Sequence, residues 1–91
     1  MNKKEIDASY VTELMEAVMQ DSSVPRNIRR VVEEAKTKIE SKKELKELDL
    51  HVSSAIYLLD DISNDINMPA HTRTEIWTII SELENLKEKI K

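Results

Sequence analysis

The segment DSSVPRNIR at positions 21–29 recurs 44 positions later as DINMPAHTR at positions 65–73. Each copy opens on aspartate, has proline as its fifth residue and ends on arginine. The likeness extends outward from both copies, since Leu14 aligns with Leu58 and apolar residues align with apolar residues over about thirty positions. A repeat of this length, with a turn in the middle of each unit, predicts a duplicated helical hairpin.

Composition indicates one small domain rich in charge. The chain has 91 residues, 14 basic and 18 acidic side chains, and a net charge of −4. It contains no cysteine, which excludes disulfides, thiolate metal sites and a cysteine nucleophile. The acidic excess disfavours nonspecific nucleic-acid binding, because such binding draws its energy from neutralised phosphates.

Hydropathy predicts a cytoplasmic protein with no membrane partner. The longest uninterrupted apolar run is Ala55–Leu59, far short of the roughly 20 residues that a membrane-spanning helix needs. Residues 1–10 contain no apolar core of the kind found in signal peptides.

The spacing of apolar residues, together with residues that commonly begin or end helices, predicts four helices. The first two should form hairpin 1, about residues 3–40, and the last two hairpin 2, about residues 42–91. Proline is common in the first turn of a helix, so Pro25 and Pro69 should begin the second and fourth helices. Ser41 followed by Glu44 predicts a capping box at the start of the third. The residues expected to face inward are Ile6, Tyr10, Val11, Leu14 and Val18; Ile28, Val32, Ala35 and Ile39; Leu45, Leu48, Val52, Ala55, Leu59, Ile62 and Ile66; and Thr72, Ile76, Ile79, Leu83, Leu86 and Ile90.

Two packings of these helices are compatible with the pattern. The hairpins could stack as in HEAT-type solenoids, whose turns they resemble, or close into a bundle. Apolar residues spaced three and four apart favour nearly parallel axes, and two hairpins are too few for a solenoid with capped ends. We therefore predict an all-α fold, one domain spanning residues 1–91, built as an antiparallel four-helix bundle from two repeated helical hairpins.

The repeated polar residues are interpreted as structural. An aspartate just before a helix can accept hydrogen bonds from free N–H groups, and an arginine in the same hairpin can return to that aspartate. A pair of catalytic or anion-handling dyads is the alternative. The predicted turn locks are Asp21, Pro25, Arg29, Asp65, Pro69 and Arg73.

Basic residues near the start of the second helix supply the second set of candidates. Cations are unfavourable at a helix N-terminus, so an anionic group should face them. That group is a neighbouring acidic side chain such as Glu33, the phosphate of a nucleic acid, or an acidic group of a protein partner. The anion-contact candidates are Arg26, Arg29, Arg30 and Arg73.

No pattern of residues predicts catalysis, a cofactor or a small-molecule substrate. A phosphate-binding loop needs glycine, which the chain lacks. The acidic stretch at 60–67 fails the calcium-loop template, since Ile66 stands where glycine is required. His51 and His71 lie on different segments and lack metal-ligand spacing, so no metal site is expected and His71 with Glu75 is interpreted as a surface pair.

The third and fourth helices carry more apolar side chains than one buried face requires. Either the core is thicker than expected, or these residues form a surface that binds another protein. Tyrosine and tryptophan commonly contribute much of the binding energy of such surfaces. The interface candidates are Leu50, Tyr57, Leu58 and Trp77. We expect a non-catalytic interaction or adaptor module whose partner is a second copy or another protein; the alternative is a nucleic-acid-associated accessory protein.

Three segments carry a family resemblance: VPRNIRR at 24–30, VSSAIYLLD at 52–60 and NMPAHTRTEIW at 67–77. Together they resemble the archaeal uncharacterised protein family 0147, and the likeness runs from Val11 to Leu86. The resemblance implies an archaeal cytoplasmic protein with a small all-helical fold. It implies no activity, ligand or catalytic residue.

Overall fold

The computed structural model describes residues 7–41 and 44–90. Over these ranges the chain forms four α-helices and no strand, which confirms the all-helical prediction. None of these helices is both long and apolar enough to cross a membrane. The helices are α1 (Ser9–Gln20), α2 (Arg26–Glu40), α3 (Leu45–Ile62) and α4 (Ala70–Ile90).

Two helices begin directly after the repeated prolines. The carbonyl of Pro25 accepts hydrogen bonds from the N–H groups of Ile28 and Arg29, each at 3.1 Å. In the same way the carbonyl of Pro69 accepts one from Arg73 at 3.0 Å. Proline suits this position because it has no N–H to leave unpaired and its φ is already restricted.

Two helix starts differ from the prediction. Asp7 and Ala8 lie before α1 rather than inside it, and the Asp7 carboxylate accepts hydrogen bonds from the main-chain N–H and hydroxyl of Ser9. The part of the first helix that was predicted before residue 7, including Ile6, lies outside the described residues. Ser41 ends α2 instead of opening α3, since its hydroxyl donates to the carbonyl of Thr37 at 3.1 Å.

The four helices surround one apolar core. Each helix packs against its neighbours in the chain, and α1 also contacts α4. The turns add Val24 and Met68, which occupy corresponding positions under the shift of 44 residues and are both buried. The buried helical residues are Val11, Met15 and Val18; Ile28, Val32, Ala35 and Ile39; Val52, Ala55 and Leu59; and Thr72, Ile76, Ile79, Leu83 and Leu86.

Some residues expected in the core are on the surface. Tyr10, Leu45 and Ile66 are exposed. Ile66 lies beyond the last residue of α3, so the helical spacing that placed it inward does not apply there. On α1 the buried face runs through Met15, which the prediction omitted, and leaves Tyr10 at its edge.

A pair of leucine and isoleucine substitutions should separate core from surface. Leu59 is fully buried, so we expect Leu59→Ala to lower the free energy of unfolding by about 2–5 kcal/mol through lost burial and a residual cavity. Ile66 is 91% exposed, so Ile66→Ala should change it by less than about 0.5 kcal/mol. Urea unfolding followed by circular dichroism measures both, and equal losses would contradict this assignment of the core.

Candidate functional site

An aspartate side chain closes each of the two repeated turns. The Oδ1 atom of Asp21 accepts hydrogen bonds from the N–H and the hydroxyl of Ser23, at 2.9 and 2.7 Å. The Oδ1 atom of Asp65 accepts one from the N–H of Asn67 at 2.8 Å. The carbonyl of each aspartate also accepts the N–H three residues on, at 3.1 Å. Aspartate favours such turns, and no described residue has a positive φ.

The second oxygen of each carboxylate contacts the opposite turn. His71 Nε2 lies 2.9 Å from Asp21 Oδ2, and Asn27 donates from Nδ2 to Asp65 Oδ2 at 3.1 Å. Asn27 and His71 are themselves 44 residues apart, six positions after Asp21 and Asp65 respectively. The two links are therefore reciprocal. We call segments 21–27 and 65–71 the turn pair.

The repeated arginines bind main-chain carbonyls rather than the carboxylates that we expected them to face. Arg29 donates from Nε to the carbonyl of Val24 at 3.0 Å. Arg73 donates from Nε to the carbonyl of Ser63 at 3.0 Å and from Nη2 to the carbonyl of Asp65 at 2.8 Å. Both arginines are half-buried. Carbonyls at helix ends lack helical partners, so these contacts satisfy groups in the turns, and the role of the arginines as turn locks stays a prediction.

The hydrogen bonds at Asp21 stabilise its charged form. The Ser23 hydroxyl, then His71, then the Ser23 N–H lower the pKa of the Asp21 carboxyl from 3.8 to about 2. Donors to a carboxylate favour ionisation because they interact less well with the protonated acid. Asp21 therefore keeps its negative charge throughout the neutral range.

The fold brings a second carboxylate, that of Glu75, close to the contact between Asp21 and His71. Glu75 follows His71 by one turn of α4, and ligand-type atoms of Asp21, His71 and Glu75 all lie within 4.8 Å of one another. Periodicity identified only the pair on α4 and missed Asp21, which lies 50 residues before His71. The alignment of His71 with Asn27 in the repeat is a sequence signal that could have indicated the contact between His71 and Asp21.

The predicted anion contacts are only partly brought together. Arg26, Arg29 and Arg30 line a shallow groove of about 330 Å³ with Met19 and Glu33. The groove thus contains its own carboxylate. Arg73 is engaged instead by carbonyls of the turn between α3 and α4.

The interface candidates divide into surface and core. Tyr57 is 71% exposed, Leu50 is 67% exposed and Trp77 is 56% exposed. Leu58 is partly buried and packs against the core. The thicker core that we considered as the alternative therefore accounts for Leu58 and not for the other three.

One row of side chains lies along the side of α3 away from the core; all are exposed except Ser53, which is half-buried. Leu50 and Tyr57 are seven residues apart and share a helix face, opposite the buried Val52, Ala55 and Leu59. Exposed residues of opposite charge lie at the two ends of this row. We call the row the outer stripe; its members are Lys46, Leu50, Ser53, Tyr57 and Asp61.

The two arginines should contribute unequally to stability. Arg73 makes two hydrogen bonds to carbonyls and Arg29 makes one. A hydrogen bond to a charged group contributes roughly 1.5–3 kcal/mol, so Arg73→Ala should lower the free energy of unfolding by at least about 1.5 kcal/mol. Arg29→Ala should lower it by a smaller amount than Arg73→Ala does. Urea unfolding of the two variants measures this difference. A neutral effect of Arg73→Ala would contradict the lock.

The pKa of Asp21 predicts a loss of stability in acid. Its pKa is lower in the folded chain, at about 2, than its ordinary value of 3.8, so the unfolded chain takes up the proton first as the pH falls. The stabilisation of the folded chain by the hydrogen bonds to the Asp21 carboxylate is almost complete above about pH 4 and is lost as the pH falls towards 2. We expect the difference in urea midpoint between wild type and Asp21→Asn to narrow over this window, whereas an unchanged difference would exclude the proposed hydrogen bonds.

Comparison with known proteins agrees with the resemblance. The model of an uncharacterised protein family, UPF0147, matches residues 1–86. A UPF0147 protein of Methanocaldococcus jannaschii is 49% identical over 74 residues, covering 81% of this chain and 77% of the relative. A UPF0147 protein of Pyrococcus furiosus is 47% identical over 74 residues, with the same two shares covered.

Two solved structures share the fold. A crystal structure of a UPF0147 protein from Thermoplasma acidophilum superposes with a TM-score of 0.80 at 41% identity, covering 86% of this chain and 89% of that one. A second crystal structure, of the unknown function protein MMP1188, gives a TM-score of 0.78 at 41% identity, covering 90% and 96%. By sequence and by structure, the chain belongs to the uncharacterised protein family UPF0147.

Proposed function

We propose that this chain is a non-catalytic interaction module built as an antiparallel bundle of two repeated hairpins. Contacts between α3 and α4 support the opposed directions. Lys87, late in α4, contacts Ser53 in the first half of α3 at 2.7 Å, whereas Arg73, early in α4, reaches Ser63 at the end of α3. Likewise Asp21, at the end of α1, meets His71 at the start of α4. The cytoplasmic location stays a prediction.

We infer that the partner is a second copy of the same chain and that the outer stripe of α3 is the contact surface. The observation that carries this inference is the exposure of Tyr57 and Leu50 on one helix face. Scattered surface leucines are ordinary, but an aromatic and a leucine two turns apart on one face of a helix provide a nucleus for association.

The stripe is complementary to itself. Leu50 and Tyr57 are equally distant from the point between Ser53 and Ser54, and so are Lys46 and Asp61. A two-fold axis through that point therefore places Leu50 against Tyr57 of the second copy. It also places Lys46 against Asp61 of the second copy, a pairing of opposite charges.

Small side chains at the centre favour close approach. Ser53 and Ser54 lie at the proposed axis, where two helices would come nearest. A groove of about 510 Å³ between α3 and α4 flanks this point and is lined by Ser53, Ile56 and Glu84, among others. We place Trp77, exposed on α4, at the edge of the same contact.

A nucleic-acid role remains the alternative. Its candidates Arg26 and Arg30 are exposed, but Glu33 lines the same groove, and Arg29 already donates to a carbonyl. No described contact favours this alternative over self-association. An added RNA oligonucleotide in the experiment below tests it directly.

Substitution of the central aromatic should abolish the dimer. We expect the wild type to have twice the monomer mass in light scattering at high micromolar concentration, and Tyr57→Glu to be a monomer, because an interfacial charge would lose its water. Glu13→Lys, on the exposed face of α1, serves as a control for a change of charge elsewhere. A monomeric wild type at these concentrations contradicts the proposal, and complex formation with RNA that weakens steeply with salt supports the alternative.

A charge reversal tests the geometry. Lys46→Glu and Asp61→Lys should each weaken the dimer, and the double variant should restore it. The two residues are 15 positions apart, about 22 Å along one helix, so rescue requires contact between copies. Additive losses in the double variant would rule out the two-fold arrangement even if a dimer exists.

A further inference from the structure

We propose that Asp21, His71 and Glu75 form a binding site for a divalent transition-metal ion, with Zn²⁺ the best match to these ligands. The three side chains bring one imidazole nitrogen and two carboxylate oxygens within 4.8 Å of one another. Zn²⁺ binds such atoms at about 2.0–2.2 Å, which in a tetrahedral site leaves the ligand atoms about 3.3–3.6 Å apart. Small side-chain rotations close the site around the ion.

The existing contacts prepare two of the three ligands. Ser23 holds Oδ1 of Asp21, and this directs Oδ2 towards His71 Nε2 at 2.9 Å. A metal ion entering this contact would replace the hydrogen bond between the two side chains.

The third ligand comes from the same helix face as the second. His71 and Glu75 are four residues apart on α4 and so project side by side. Glu75 is exposed, and its long side chain can turn towards the pair. The start of a helix opposes a cation through its dipole, but the two carboxylates place two negative charges around the site.

The repeat shows which of these groups the fold itself needs. In the corresponding link, Asn27 bonds to Asp65, and Val31 stands where the second copy has Glu75. An amide and a carboxylate are therefore enough to join the turns. His71 and Glu75 add a nitrogen ligand and a second carboxylate that this structural role does not require, and both additions lie beside the same aspartate.

Calorimetric titration of the full chain with ZnCl₂ at pH 7.5 tests the site. We expect one ion per chain and a rise in Tm on binding. His71→Asn reproduces the Asn27 arrangement, so the link to Asp21 can persist while the imidazole is lost. This variant and Glu75→Gln should each raise the Kd at least about tenfold, since even changes behind the ligands cost that much in known sites.

Two further measurements separate this site from incidental histidine binding. His51→Asn, which alters the other histidine of the chain, should leave the Kd unchanged. Uptake by the wild type should fall as the pH is lowered, because a metal ion binds only deprotonated ligands. The proposal is overturned if the wild type takes up no ion at submillimolar Zn²⁺, if His71→Asn binds as tightly as the wild type, or if His51→Asn removes binding.

Discussion

The reciprocal contact between the two turns is the constraint on which the rest of the structure depends. Asp21 and Asp65 each use one carboxylate oxygen to close a local turn and the other to hold the opposite turn. The turns thereby fix how each pair of helices meets, without glycine and without a left-handed residue in the described chain. The buried Val24 and Met68 then fill the space beneath them. Polar and apolar contacts thus act at the same end of the molecule.

Much of the fold could be predicted from the sequence because its determinants are local. Helix period, proline position and the 44-residue repeat predicted four helices and most of their buried faces. The errors occur where local pattern is weak: Tyr10 lies at the edge of the buried face of α1, which runs through Met15 instead, and Ile66 follows the end of α3.

The candidate site was harder to predict because its contacts are long-range. Periodicity could not reveal that His71 meets Asp21 or that Asn27 meets Asp65, across 50 and 38 residues. The sequence suggested arginine as the partner of each aspartate, since charge favours that pairing. In the folded chain the carbonyls of the turns need donors as well, and Arg73 satisfies two of them.

These assignments place different roles on separate parts of the molecule. The turn pair holds the proposed metal ligands, and the outer stripe of α3 holds the proposed dimer contact. The stripe faces away from the core, so its residues can change without opening a cavity, whereas Asp21 serves both its turn and the proposed site. The proposed metal binding is therefore coupled to the stability of the turns, whereas the proposed association through α3 is not.

A double-mutant cycle on Asn27 and Asp65 tests the reciprocal contact most directly. Urea unfolding of Asn27→Ala, Asp65→Ala and the double variant gives the coupling free energy between the two side chains. We expect a favourable coupling of at least about 0.5 kcal/mol, because each single variant already removes the shared hydrogen bond. Strictly additive losses would show that the two turns do not hold each other, and would contradict the account.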